Sequence, residues 1–124
     1  MHNQKEINIL ERQRSELLRT LLGISPMIIG SYNEVYRKCG KANCWCQSSE
    51  TGHPFKRVTW KENGASTTKA VSDENLAWVQ EATRNHKIFR STVAAIREIE
   101  IRIHEELQKQ GTQIIEQSRK EKGW

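Results

Sequence analysis

The chain has little of what builds a large core. Hydrophobic residues make up 35% of its 124 positions, and only two phenylalanines and two tyrosines accompany its four tryptophans. No stretch approaches the about 18 consecutive apolar residues of a membrane-spanning helix. The opening Met-His-Asn-Gln-Lys-Glu lacks the apolar run of a secretory leader. A soluble, cytoplasmic protein without membrane contact is therefore expected. Also missing are a glycine-rich phosphate loop, a catalytic carboxylate pair and a serine-centred nucleophile motif, so no catalytic residue is assigned and a non-enzymatic role is expected. Internal repeats and low-complexity segments are absent as well. The length suits one domain over residues 1–124, and a core this small calls for a metal staple, a partner subunit or both.

Charge is plentiful but unevenly placed. Seven basic residues, Arg37, Lys38, Lys41, Lys56, Arg57, Lys61 and Lys69, lie in the middle of the chain against two acids, Glu50 and Glu62. Outside residues 37–69 the chain carries thirteen residues of each sign, so the whole net charge of +5 resides in that stretch. A basic centre between balanced flanks points to a local anionic partner, where a uniformly basic chain would signal only a sticky surface.

The flanks read as helices. Ile7, Leu10, Leu17, Leu18, Leu21 and Leu22 recur mostly at three- and four-residue steps, which predicts an amphipathic helix within residues 1–24, closed by Gly23 and Ser25-Pro26. Leu76, Val79, His86, Phe89, Val93, Ile96, Ile99, Ile103 and Leu107 keep helical spacing and predict a long helix over 72–116, with Ser72 or Asp73 as its cap. Gly111-Thr112 is a candidate interruption, and 117–124 reads as a frayed, charged tail. Such a stripe outlasts any small core, so a homodimer or larger assembly through Val93, Ile96, Ile103 and Leu107 is expected. Within the central segment, 25–71, Phe55 to Lys61 alternates, Asn63-Gly64 supplies a turn, and Ser66 to Val71 returns as a hairpin. The expected fold class is α+β, mainly helical, with two long helices flanking a small zinc-binding loop and a β-hairpin.

All three cysteines fall within eight residues, Cys39-Gly-Lys-Ala-Asn-Cys44-Trp-Cys46, and His53 follows. In a reducing compartment such clustering suits metal ligation better than disulfides. Three thiolates and one imidazole fill the tetrahedral shell of structural zinc, so Cys39, Cys44, Cys46 and His53 are the expected ligands. The same segment also admits a three-cysteine site completed by water or by His2, His86 or His104, or three reduced thiols packed as small hydrophobes. Gly40 lets the chain turn back between the first two ligands, and Gly52 with Pro54 directs His53.

Gly30-Ser31, Tyr36-Arg-Lys-Cys39-Gly-Lys-Ala-Asn-Cys44-Trp-Cys46 and Gly52-His53-Pro54-Phe55 together resemble an uncharacterised prokaryotic family of short proteins. Its signature reads Tyr-x-Lys-Cys-Gly-Lys-x-x-Cys-x-Cys followed by His-Gly-Pro-Tyr, and the likeness extends over residues 29 to 97. Gly52-His53 reverses the family's His-Gly order, and Lys56 stands where the family is usually aromatic. Members are often encoded beside transposases or site-specific recombinases, which implies an accessory role in a mobile element and a transposase or recombinase as partner.

Two functions compete. In the first, the basic residues contact phosphates of a nucleic acid, DNA before RNA, with Trp45 or Trp60 stacking or wedging. Trp60 suits core packing better, whereas Trp45, between two ligands, is expected to point outward. In the second, the long helix makes the protein an interaction adaptor or oligomerisation factor, and the basic centre is incidental.

Overall fold

The computed structural model of the chain describes residues 2–124. Helix α1 (His2–Leu22) and the long helix α2 (Leu76–Lys122) flank a three-stranded sheet of β1 (Ser31–Arg37), β2 (His53–Glu62) and β3 (Ala65–Ala70), in the order β1-β2-β3 and antiparallel throughout. This is an α+β fold of two helices and a small antiparallel sheet, with the three cysteines in the loop between β1 and β2 and His53 at the start of β2.

The chain divides into two compact units. One consists of α1 with the stretch of α2 from Phe89 onward, and the other of residues 25–88. In the helical unit Leu10 and Ile96 are buried, and ion pairs join Arg14 to Glu100 (3.2 Å) and Arg102 to Glu6 (3.5 Å). Rising numbers along α1 meet falling numbers along α2, so the two run antiparallel. The apolar stripe expected of α1 is covered at Leu10 and half-covered at Ile7, Leu17 and Leu21, while Leu18 and Leu22 are exposed.

In the other unit the β2–β3 turn consists of Asn63 and Gly64 alone, both at positive φ (52° and 82°), as a two-residue hairpin turn requires. Strand β1 is a third strand that the residue pattern did not reveal. Its polar Asn33 and Glu34 interrupt the apolar alternation, and it forms because β2 supplies a paired backbone along its whole length, from Ser31↔Thr59 to Arg37↔His53. Side chains alternate across the sheet. Tyr32, Glu34, Lys56, Val58, Trp60 and Lys69 share one face, on which α2 packs: Val58, Trp60 and Lys69 line a cavity of about 1020 Å³ together with Trp78 and Val79. Ile28 donates its N–H to the Ala82 carbonyl, and Asn85 caps the Pro26 carbonyl, fastening the lead into β1 to the same helix.

Two boundaries differ from expectation. Helix α2 begins at Leu76 rather than 72, because Ser72 to Asn75 form a turn in which Ser72 and Asp73 accept the N–H groups of Asn75 and Leu76. It also runs unbroken through Gly111 to Lys122, so 117–124 is mostly helix and not a frayed tail. One glycine costs an exposed helix only about 1 kcal/mol, and Arg119, Lys120 and Lys122 suit the negative end of the helix dipole.

Candidate metal centre and basic sheet face

The cysteine segment is the loop of the β1–β2 hairpin, which explains how candidate ligands fourteen residues apart converge. Cys39 stands two residues beyond Arg37, the last residue of β1, and His53 opens β2 directly opposite Arg37. Between them Gly40 turns the chain at φ 83°, the Cys44 N–H bonds the Lys41 carbonyl, and a short 3₁₀ turn, Trp45–Ser48, carries Cys46 inward to complete burial. The loop then closes through Ser49, whose hydroxyl accepts the N–H groups of Thr51 and Gly52. Gly52 is the tightest point: at φ 91°, a Cβ there would lie 2.5 Å from the Arg37 carbonyl.

The result brings Cys39, Cys44, Cys46 and His53 together, with one ligand atom from each and all four within 4.8 Å of one another. Cys39 Sγ lies 3.5 Å from Cys46 Sγ, and Cys44 Sγ lies 3.0 Å from His53 Nε2. Tetrahedral ligand atoms around zinc with Zn–S near 2.3 Å sit about 3.8 Å apart. The donor set and its spacing therefore suit a single metal ion and are compatible with zinc, and the cysteines are free thiols rather than disulfides. Among the described residues, neither His86 nor His104 joins the cluster; the side chain of His2 lies outside the described part.

Electrostatics within the cluster are asymmetric. The Lys41 backbone, assisted by the Cys46 side chain, lowers the Cys39 thiol from the ordinary 9.0 to about 7. At Cys46 the Cys39 N–H pulls the other way from burial and the neighbouring thiols, and burial with those thiols prevails, raising its pKa. Trp45 stacks edge-on against His53 at 4.7 Å yet remains 60% exposed.

The strand register sorts the central basic residues into two groups. Arg37, Arg57 and Lys61 share the face opposite α2 with His53, Phe55 and Asn33. There the Arg37 guanidinium lies 4.0 Å over the Phe55 ring, and Arg57 donates to Asn33 Oδ1 at 2.8 Å. Lys38 and Lys41 project from the adjoining loop; Lys38 reaches the Gln47 carbonyl. Lys56 and Lys69 fall on the other face. Lys56 pairs with Asp73 at 3.0 Å, which raises its pKa, and Lys69 lines the cavity beside Trp60. The supports Asn33 and Phe55 escape sequence reading because their partners become apparent only once β1 is known to be a strand.

A family model matches residues 7–81, from α1 through the sheet and metal loop into the start of α2. The chain belongs to the DUF6788 family. DUF6788 is described as a domain of unknown function, and its match takes in the whole cluster and every basic residue of the centre. No curated protein and no solved structure matches the chain.

Proposed function

We propose that this DUF6788 protein is a non-catalytic zinc module that docks on a nucleic-acid backbone through its open sheet face and metal loop. The observation that carries this reading is the register: it gathers Arg37, Arg57 and Lys61 on the face that also bears His53 and Phe55. Both arginines are braced, Arg37 by Phe55 and Arg57 by Asn33, so their donors meet phosphates at reduced entropic cost. Trp45, exposed at the edge of the same loop, offers a ring to an unpaired or unstacked base. Bound to the four protein donors, zinc would supply only structural closure, since they leave no position for water or substrate. Free thiols fit a reducing, cytoplasmic setting. The resemblance to products encoded beside transposases and recombinases favours DNA over RNA and an accessory role in a mobile element. A second reading, an adaptor acting through α2, draws on the exposed Leu107, Ile114 and Ile115.

Fluorescence anisotropy with labelled duplex DNA and single-stranded RNA across a salt series tests the proposal. Replacing Arg37 and Lys61 by alanine should reduce the slope of log affinity against log salt by about one unit each. Lys56→Ala and Lys69→Ala, on the opposite face, should leave it nearly unchanged. Equal losses from both faces would mark a generally sticky protein, and no binding by wild type at about 100 mM salt would leave the adaptor reading in its place.

A further inference from the structure

Helix α2 outruns its partner. The ion pairs of Glu6 with Arg102 and of Arg14 with Glu100 set α1 antiparallel to α2, and α1 begins at His2, so its cover of α2 ends about one to three turns beyond Arg102. Toward its C-terminus α2 continues to Lys122, with Leu107 52%, Ile114 48% and Ile115 60% exposed. Leu107 and Ile114, one heptad apart, continue the line of α2 on which Ile96 is buried within the unit that α2 forms with α1. An apolar line established as an interface at one end is thus bare at the other.

Gly111 lies on this line between Leu107 and Ile114. A glycine in the middle of a helix costs about 1 kcal/mol against alanine, and here nothing in its own chain asks for it: a Cβ would meet no atom within 4 Å. Written as a seam, the positions are Leu107, Gly111, Ile114 and Ser118, large alternating with small at steps of four, three and four. Antiparallel pairing with an identical seam sets Gly111 against Ile114 and Ser118 against Leu107, so that each large side chain faces a small one. The same pairing brings the end carrying Glu105 and Glu106 alongside the end carrying Arg119, Lys120 and Lys122, whereas parallel pairing would set like charges together.

We infer that residues 107–122 form a two-fold, antiparallel docking surface for a second copy of this chain. The contact differs from the one the sequence pattern suggests. Ile96 is buried within its own chain and is unavailable to a partner, whereas Leu107 takes part together with Gly111 and Ile114. The inference concerns the helical unit and stands apart from nucleic-acid binding.

Sedimentation equilibrium over a range of concentrations reads the association directly. The wild-type chain should approach twice its 14.4 kDa mass. Leu107→Glu with Ile114→Glu should raise the dissociation constant at least about 100-fold, because each interface would lose both apolar anchors from both copies. Both side chains are exposed in the single chain, so circular dichroism should show helix content unchanged. Ile101→Glu, exposed but on another side of α2, should leave association intact. Orientation is read by brief oxidation of the metal-loaded protein. An equimolar mixture of Leu107→Cys and Ser118→Cys chains should cross-link to each other, and neither alone should do so. A wild-type chain that stays monomeric, or Leu107→Cys chains that cross-link among themselves, would overturn the inference.

Discussion

At the scale of single residues, Gly52 holds the metal loop to the sheet. Its backbone passes so close to Arg37 and Lys38 that a methyl group would lie 2.5 Å from the Arg37 carbonyl and 2.7 Å from the Lys38 nitrogen, at a φ that L-residues resist. Gly52→Ala should therefore destabilise the sheet unit by at least about 2 kcal/mol and weaken metal retention, because the shift falls between Cys39 and His53. Gly40→Ala, also at positive φ but with open space around it, should cost only about 1 kcal/mol. Chemical denaturation of the two variants compares them, and equal losses would refute the packing argument. Cys39 gives the second residue-scale expectation. In metal-free protein its alkylation by iodoacetamide should show a midpoint near pH 7, two units below an ordinary thiol, and Cys46 should react last because it is buried and its pKa is raised. The native state favours the Cys39 thiolate, so its contribution to stability is complete above 9.0 and fades as pH falls through about 7. A midpoint for Cys39 no lower than that of Cys46 would contradict this.

Elements differ in how openly the sequence declares them. Asn63-Gly64 gave the β2–β3 turn to the residue because only glycine and asparagine enter positive φ readily, and that preference is local. The gathering of Cys39, Cys44, Cys46 and His53 is legible for a similar reason: cysteines and a histidine concentrated in one short segment are rare except where something gathers them. Strand β1 was hidden. Its Tyr32-Asn-Glu-Val-Tyr36 has polar residues on both faces, and it is a strand because β2 pairs with it, which is a non-local fact. Without β1 the basic residues form an undivided cluster; with it they separate into Arg37, Arg57 and Lys61 on one face and Lys56 and Lys69 on the other. At Gly111 the sequence offers a break that α2 does not take, since a single propensity penalty does not outweigh the ladder of hydrogen bonds on either side.

At the scale of the whole molecule, the two units rely on different sources of stability, and metal removal should separate them. The sheet unit has few deeply buried hydrophobic residues, among them Cys46, Val58, Val79 and Ala82, and one of these belongs to the candidate metal cluster. A core of that size does not hold a 15-residue connection in place, so the binding energy of a metal would become folding energy for the loop and for the strands it joins. The helical unit has no part in the cluster. Elemental analysis of protein purified without chelator should find about one zinc per chain, lost on replacing Cys39, Cys44 or Cys46 by serine. Chelation should then speed hydrogen exchange across residues 31–62 while residues 89–106, covered by α1, exchange little faster than before. Far-ultraviolet circular dichroism should retain most of its helical signal, because α1 and α2 contain most of the ordered backbone. If the purified chain carries metal far below one equivalent, the cluster is only a set of neighbouring thiols. If chelation instead melts α1 and α2 together with the sheet, the units are not separately stabilised, and the folding of the helices rests on the metal as well.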